Sequence, residues 1–511
     1  MSAAFNLIED PWIPVVDSAG GPPRLRTLAD LLLDASSLRE IWSPSPLETI
    51  ALHRLALAVL HAALRGPASI AEGRTLLRDG WPRRDAEEYL ERWRARFELF
   101  DVERPFFQFA SVSDGTLSPI TRLAHERATA HNPTLFDHSR DAEPPTLPPD
   151  VAARLLVTHQ LYALQGGNNK PFYLSNGPMG GKISVIVLGE DARTTLAANL
   201  VRYDGDEPMP FDDDAPAWER DDPAVPDRHG TTPRGYLDYL TWQSRAIRLR
   251  ANEDGTVSRC EYRQNLKLPQ DGTPDPFVPY RRDEKRGLLP LEARSGRALW
   301  RDAHAIIAGT LERSLRSTPN GVLGWLSEIA GPDSRPRGLV AGGIVSSQAK
   351  VEHWVLGRLP VSIRLLRQEA VREVLGEAIA RAEAGGRALN RAARRVATLL
   401  VAPESDQPGA PRPDRGAVSS VAESLRAHEG YYPALEPAFG ALARELAGTG
   451  DVDDALMIWT DAVYRTAQAA FAIAVSGLDG SARSLHARAA GERTLARQLR
   501  DIKPSAWEAN T

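Results

Sequence analysis

The sequence predicts an α+β protein, in which a large mixed N-terminal domain (residues 1–360) is followed by a C-terminal four-helix bundle (residues 361–511). Two observations support this fold class. The 511 residues exceed the size at which one hydrophobic core usually keeps growing, so at least two domains are expected. Short helical patterns alternate with short β-branched segments before residue 360, whereas only long helical patterns follow it.

In the N-terminal part, residues 5–16 (FNLIEDPWIPVV) predict short extended segments broken by prolines. Apolar residues at helical spacing predict three helices, at 46–64, 82–100 and 150–164, and we expect Asp150 to cap the third. The segment KISVIVLG (182–189) is apolar and β-branched, which predicts a buried strand. Residues 228–360 predict short strands mixed with loops.

The C-terminal part contains four helical patterns separated by Gly- or Pro-rich breaks, at 362–402, 417–447, 451–476 and 481–502. In the third, apolar residues recur every three to four positions: Val452, Leu456, Trp459, Val463, Ala467, Ala470 and Ala474. Such a stripe is typical of a helix that buries one face. Four amphipathic helices with brief connections predict a four-helix bundle.

The net charge of −5 does not exclude a nucleic-acid partner, because the acidic residues are unevenly distributed. Residues 203–227 hold ten acidic residues and one basic residue among several prolines, and basic residues slightly outnumber acidic ones elsewhere. Asp212–Asp214 could bind a metal, but a Pro-broken acidic stretch is more typical of a solvated loop. We therefore expect a solvated loop here.

Composition also limits the compartment and the cofactors. Cys260 is the lone cysteine, which excludes an internal disulfide and a Cys-rich zinc site. The chain has no uninterrupted apolar run of membrane-spanning length, and its first residues do not resemble a secretory signal. We expect a cytoplasmic protein with no membrane association and no cofactor.

Three segments could carry chemistry. GPMGGKIS (177–184) superficially resembles a phosphate-binding loop, but Ile183 replaces the required hydroxyl residue and the strand follows the glycines. Ser347 and Lys350 match S-x-x-K, the serine-nucleophile pattern of penicillin-recognising enzymes, but the S-D-N and K-T-G motifs of those enzymes are absent from the sequence. The segment HNPTLFDHS (131–139) could bind a metal, perform acid–base chemistry or contact a nucleic acid. A stand-alone hydrolase that uses Ser347 and Lys350 or the His/Asp loop therefore remains an alternative. A helical scaffold that binds only other proteins through its bundle is another.

Several segments in a fixed order resemble the CasA family, the large subunits of the type I-E CRISPR surveillance complex Cascade. They are FNLIEDPWIPV, TLFDHS, GGKISVIVLG, YLTWQSR, GGIVSSQAKVEHW and ERTLARQLRDIKP, and they span residues 5–504. The resemblance implies a non-enzymatic subunit that needs no metal. It implies that the chain recognises the protospacer-adjacent motif (PAM) in double-stranded DNA and promotes duplex opening and R-loop formation. The implied partners are the backbone, guide-end and small subunits of Cascade, the guide RNA, target DNA and an effector helicase-nuclease of antiviral defence.

The same resemblance implies roles for individual residues. Gln348 matches the family's wedge, which splits the first base pair below the PAM, and Ser347 lies beside it. Lys267 matches the lysine that enters the minor groove. The glycine-rich minor-groove loop matches Gly166, Gly167 and Asn168, with Gly180–Gly181 as an alternative. The nonapeptide matches a loop that touches the PAM-proximal duplex and the guide's 5′ end, and its contact residues are His131, Asn132, Thr134, Phe136, Asp137 and His138.

Overall fold

The structure of the protein is a computed structural model. It describes residues 4–112, 115–125, 143–165, 175–221, 225–227, 229–269, 274–283, 285–308, 321–347, 350–405, 413–500 and 502, with the backbone alone at Arg282, Ala308, Ser347 and Lys350. All structural statements below concern these residues.

Helices and strands alternate irregularly in the first two thirds of the chain. The helices are α1 Leu28–Leu33, α2 Pro46–Leu64, α3 Ile70–Asp79, α4 Arg83–Trp93, α5 Pro149–Tyr162, α6 Ala192–Asn199, α7 Tyr236–Leu240, α8 Ala303–Ala308, α9 Gly321–Ile329, α10 Ile363–Arg367, α11 Glu369–Val401, α12 Arg415–Ser424, α13 Tyr431–Ala447, α14 Val452–Ala474 and α15 Ala482–Arg500. The strands are β1 Ile13–Asp17, β2 Arg24–Arg26, β3 Leu38–Ile41, β4 Thr116–Pro119, β5 Ile183–Leu188, β6 Arg245–Ala251, β7 Val257–Gln264, β8 Tyr280–Asp283, β9 Gly287–Pro290, β10 Gly338–Ser347 and β11 Lys350–Leu359.

The chain divides into two compact units. Unit 1 comprises residues 1–299 and 305–366, and unit 2 comprises residues 300–304 and 367–511. Unit 1 contains all the strands described and unit 2 is helical, so the expected α+β class with a C-terminal helical bundle is confirmed. The short segment 300–304 belongs to unit 2 because Trp300 stacks on Phe439 and Arg301 pairs with Glu383 on α11.

Helix α2 forms the centre of unit 1. It begins at Pro46 after a Ser45 cap, as expected for a proline at the first helical position. By length and composition it is the one described helix that could cross a membrane. However, 83% of its apolar 18-residue stretch is buried inside the protein. It is buried on nearly all sides because other elements surround it, and even its polar residues Thr49, His53, Arg54 and His61 are buried.

Unit 1 contains three small antiparallel sheets and a separate β8–β9 hairpin. The sheet orders are β2-β1-β3, β11-β10-β5 and β4-β7-β6. The predicted strand at 182–189 is β5, and all six of its residues are buried. At the third predicted helix, now α5, the expected Asp150 cap is wrong: Pro148 occupies the cap position, and Asp150 pairs with Arg154 one turn later.

Gly342 and Gly343 do not form a turn, although an adjacent pair of glycines favours one. Both lie within β10, where they pair with β11 on one side and with β5 on the other. A β-carbon on Gly343 would lie 2.4 Å from the carbonyl oxygen of Lys182, and one on Gly342 would lie 3.0 Å from Ile50 on α2. These glycines therefore permit close packing, and the reversal of the hairpin comes after Ser347.

Unit 2 is built around α11, a 33-residue helix that packs against α12, α13, α14 and α15. The predicted helix 417–447 is two helices, because turns separate Ser424 from Tyr431 and Arg426 has a left-handed φ of 49°. Trp459 of the predicted stripe is fully buried and donates a hydrogen bond to the Ala378 carbonyl.

The acidic segment is not simply a solvated loop. Asp212 and Asp213 are exposed, but Asp214 is only 5% exposed. Its carboxylate accepts hydrogen bonds from the backbone N–H groups of Leu237 and Asp238 in the first turn of α7. Those N–H groups have no partner within the helix, so Asp214 caps α7 from a distant part of the chain.

Candidate nucleic-acid interface

Most of the predicted contact residues lie outside the described part of the chain. They are His131, Asn132, Thr134, Phe136, Asp137 and His138, the glycine-loop residues Gly166, Gly167 and Asn168, and the predicted wedge Gln348. Lys267 is described in full, and Ser347 by its backbone. The structure does, however, show how the chain on either side of each segment is held.

Both ends of the segment 166–174 are tied to one buried arginine. The guanidinium of Arg245, which is 1% exposed, donates from Nη2 to the carbonyls of Leu164 and Ser175, each at 2.9 Å. The backbone N–H of Gln165 also donates to the side-chain oxygen of Asn176 at 2.7 Å. The two ends of the predicted glycine loop are therefore held side by side.

Arg245 is itself fixed by residues on α5 and β7 and by the preceding residue, Ser244. Its Nε donates to the Tyr262 hydroxyl on β7 at 2.9 Å, and its Nη1 donates to the Ser244 carbonyl at 2.8 Å. Its backbone N–H donates to the side chain of Gln160 on α5, which donates back to the Arg245 carbonyl. We call Gln160, Ser244, Arg245 and Tyr262 the anchor cluster.

The segment that contains the nonapeptide begins at the same cluster. His125, the last residue before it, stacks on His159 with ring centroids 5.2 Å apart, and His159 hydrogen-bonds to the Tyr262 hydroxyl at 3.0 Å. Burial, together with the nearby charge of Arg245, lowers the pKa of His125 to about 4. Burial also lowers the pKa of His159, so both rings are neutral at pH 7.

Lys267, the predicted minor-groove lysine, is two residues from a backbone contact with the anchor cluster. Asn265, two residues before Lys267, donates its backbone N–H to the Ser244 carbonyl at 3.1 Å. The carbonyl of Lys267 accepts from the Thr231 N–H at 2.8 Å, and its side chain is partly exposed. Two predicted loops and the predicted lysine thus share one base, formed by α5 and the β6–β7 pair.

The predicted wedge residue, Gln348, lies in the connection between β10 and β11. Ser347 pairs with Lys350, so the connection between the strands contains Gln348 and one other residue. Strand β10 pairs with β5 only as far as Gly343, opposite Ile183, and the hairpin continues for four further residues. At about 3.3 Å per residue it extends about 13 Å beyond the start of β5.

A basic hairpin that the sequence reasoning missed attaches to the same end of β5. The N–H of Ile183 donates to the Leu291 carbonyl just after β9, and the backbones of Lys182 and Glu292 form an isolated antiparallel β-bridge. At the tip of this β8–β9 hairpin, Lys285 and Arg286 are exposed. The run RRDEKRG (281–287) could have revealed it, since basic residues around a turn favour contact with phosphate.

The described residues offer little for the alternative chemistries. They contain no group of three or more His, Cys, Asp or Glu side chains placed to hold a metal ion. Burial raises the pKa of Cys260 to about 12, so its thiol is inert at neutral pH. What the arrangement does provide is a shared rigid base for loops, next to one hairpin whose tip is basic.

Comparison with known proteins identifies the family. The sequence profile described as CRISPR-associated protein Cse1 matches residues 6–470. The chain is also 33% identical over 509 residues to the CRISPR-associated protein CasA/Cse1 of Thermus thermophilus, covering 98% of both sequences. The chain belongs to the Cse1 (CasA) family. The resemblance inferred from the short motifs is thereby confirmed.

Solved structures agree with this assignment. The structure of Thermus thermophilus CasA superimposes with a TM-score of 0.79 at 29% identity, covering 98% of this chain and 100% of that one. A chain of a structure described as a CRISPR RNA-guided surveillance complex gives a TM-score of 0.73 at 19% identity, covering 97% and 99%. At that identity the second match establishes only the fold.

Proposed function

We propose that this chain is the large subunit of a type I-E CRISPR surveillance complex and recognises the PAM in double-stranded DNA. The observation that carries this proposal is the anchor cluster, because it joins the bases of two predicted contact loops and lies near the predicted lysine. Segments that must enter a narrow groove together need one rigid base. Membership of the Cse1 family, with its motifs in order along nearly the whole chain, supports the same function.

The chemistry of the predicted contact residues suits the minor groove. Gly166 and Gly167 carry no side chain, so their backbone can approach the base edges closely. Lys267 adds a positive charge, which a narrow minor groove attracts. Because the minor groove distinguishes mainly A·T from G·C pairs, we expect the chain to accept several related PAM sequences.

Duplex opening follows recognition in this proposal. Gln348 lies in the two-residue connection between β10 and β11, and this hairpin extends beyond β5, the third strand of the sheet. Such a position suits a residue that must reach into a base stack. Unstacking a base step costs a few kcal/mol. Pairing between guide RNA and target strand then replaces the lost DNA pairs at nearly equal stability, so the R-loop can grow.

The remaining parts of the proposal concern partners and chemistry. The subunit binds the guide RNA's 5′ end and the backbone, guide-end and small subunits, and later recruits the effector helicase-nuclease in antiviral defence. It acts in the cytoplasm, performs no catalysis itself and uses no metal. Cleavage of the target therefore belongs to the recruited nuclease.

Reconstitution of the complex tests PAM recognition. The complex would be assembled from its co-encoded subunits and guide RNA with and without this chain, then titrated at one stated salt concentration with guide-matched duplexes that differ only at the PAM. We expect the complete complex to prefer the PAM duplex and the incomplete one to bind both equally. A PAM preference that survives without this chain would contradict the proposal.

The hydrolase alternative has a separate test. Purified chain would be assayed for nuclease, ATPase and esterase activity, alongside Ser347→Ala and with added chelator. We expect background values in every case. Turnover that disappears with Ser347→Ala or with the chelator would establish an enzyme instead.

A further inference from the structure

A groove in unit 1 lies at the opposite end of β5 from the predicted DNA-contact segments. It has a volume of about 510 Å³ and is formed by α3, α6, α9, the end of β5 and the loop 331–336. This volume falls within the range of about 300–1,000 Å³ that is usual for binding clefts. Strand β5 is about 20 Å long at 3.3 Å per residue, so a ligand here would leave the other end free.

The floor of the groove is aliphatic. Leu326 and Ile329 of α9 and Val187 of β5 are each at most 3% exposed, and Leu77 of α3 is partly exposed beside them. Helices α3 and α9 approach closely because Gly73 faces α9: a β-carbon there would lie 2.4 Å from Trp325. No aromatic side chain is among the described residues that line the groove. The floor therefore suits aliphatic side chains better than nucleobases, which favour aromatic rings.

Four arginines surround this floor: Arg74 and Arg78 on α3, Arg193 on α6 and Arg335 in the loop 331–336. Arg74 donates to the Glu328 carbonyl, Arg193 to the Arg78 carbonyl, and Arg335 to the carbonyls of Pro332 and Ser334. In the described residues these three form no ion pair with a carboxylate within 4.0 Å, whereas Arg78 pairs with its neighbour Asp79. Main-chain carbonyls thus orient three guanidiniums, and of these Arg193 also interacts through its charge with the carboxylate of Asp79.

The position of Arg193 depends on Gly80, which ends α3 with a left-handed φ of 83°. A β-carbon on Gly80 would lie 3.0 Å from the Arg193 side chain. The backbone therefore gives the arginine room to cross the end of the helix and reach the rim. The guanidinium is held by a specific local structure and does not simply extend into solvent.

We propose that this groove docks an acidic peptide segment of a protein partner, with one or two aliphatic side chains on the floor. Arginine forms strong, often bidentate hydrogen bonds with carboxylates, so the rim matches the acidic residues of such a segment. Glu190 and Asp333 also line the groove, so the acidic residues of the segment must lie against the arginines and away from these two carboxylates. The aliphatic floor, with no aromatic ring among its described residues, favours a protein segment over a nucleic acid.

Fluorescence anisotropy with the full-length chain tests this docking site. The probe is a fluorescein-labelled peptide, EDLEELLDE, compared with one in which lysines replace the acidic residues and one in which alanines replace the leucines. We expect saturable binding of the acidic probe with a Kd of roughly 10–100 µM, and at least about tenfold weaker binding of both comparison peptides. No saturable binding up to about 1 mM would overturn the proposal.

Arginine variants test whether the peptide binds at this groove. The triple variant Arg74→Gln, Arg193→Gln, Arg335→Gln should bind the acidic probe at least about tenfold more weakly. The matched control Arg84→Gln, Arg426→Gln, Arg465→Gln removes equal charge from exposed arginines elsewhere and should bind normally. Circular dichroism would establish that both triple variants remain folded.

A floor variant and a nucleic-acid probe distinguish peptide docking from non-specific charge attraction and from nucleic-acid binding. Leu77→Asp adds a like charge at the floor and should also weaken binding, without removing an arginine. Equal loss in the two triple variants would mean non-specific attraction and would refute the site. Displacement of the peptide by a short oligothymidylate, with the same dependence on the three arginines, would identify a nucleic-acid site instead.

Discussion

Replacing Arg245 with methionine tests whether the anchor cluster holds the predicted glycine loop. Methionine retains much of the length of arginine but donates no hydrogen bonds. The substitution removes the bonds to the carbonyls of Leu164 and Ser175, so the two ends of segment 166–174 lose their common partner. The Ser244 carbonyl and the Tyr262 hydroxyl also lose the hydrogen bond that Arg245 donates to each.

The structure allows a rough magnitude. Each hydrogen bond from a charged donor contributes roughly 1.5–3 kcal/mol, and four acceptors are affected. Part of this loss is offset, because methionine no longer requires a charge to be buried. We expect a net local destabilisation of about 3 kcal/mol, which corresponds to roughly a hundredfold change in a local opening equilibrium.

Hydrogen exchange followed by mass spectrometry measures this opening directly. The amides to follow are those of Gly177 and Met179, which bond to the carbonyls of Ala163 and Leu161 just beyond the loop. We expect their protection to fall about a hundredfold in Arg245→Met. Local exchange is the suitable assay because a two-unit chain need not unfold in one step.

The matched control is Arg250→Met on the same strand. Arg250 is 52% exposed and pairs with Glu261 at the surface, so its loss should cost less than about 1 kcal/mol. A protection loss at Gly177 that is small, or equal in the two variants, would refute the anchoring role of Arg245. In the assembled complex, Arg245→Met should also weaken binding to PAM duplex more than Arg250→Met does.

Three further predictions follow. Burial lowers the pKa of His61 and of His125 to about 4, below the unfolded value near 6.5, so each contributes stability above pH 6.5 that is lost as pH falls towards 4. Urea unfolding should show this loss, up to about 3 kcal/mol per residue, and a flat profile between pH 7 and 4 would contradict it. Phe136→Ala with Asp137→Ala should weaken binding of the complex to PAM duplex in gel-shift titrations, and unchanged affinity would remove this loop from the interface. Gln348→Ala should slow R-loop formation on intact duplex but not on DNA mismatched beside the PAM, and permanganate footprinting that shows equal defects on both would exclude the wedge.

The sequence predicts the fold well wherever local pattern and burial agree. Helix α2 coincides with its predicted range 46–64, and β5 lies within 182–189, because each is apolar and clearly bounded. In α14 the predicted stripe is right at Trp459, Val463 and Ala467, but Phe471 is buried in place of Ala470. A large ring one position away fills the space better than a methyl group does.

Long-range contacts are what local patterns do not reveal. Asp214 caps a helix more than twenty residues later, and a composition-based interpretation of its acidic neighbours could not anticipate that. Gly342 and Gly343 resemble turn residues, yet the approach of β5 and α2 explains them. Arg245 ends the motif YLTWQSR, but the motif did not reveal its anchoring role, since its partners come from α5, β7 and both sides of a loop.

Site-specific crosslinking would test PAM recognition by this chain most directly. A photoreactive base would replace one PAM position in guide-matched duplex bound to the complete complex, and mass spectrometry would identify the crosslinked peptides. We expect crosslinks to this chain, within 126–142, 166–174, the neighbourhood of Lys267 or the hairpin connection at Gln348. Crosslinks that map only to other subunits would contradict the central claim that this chain recognises the PAM.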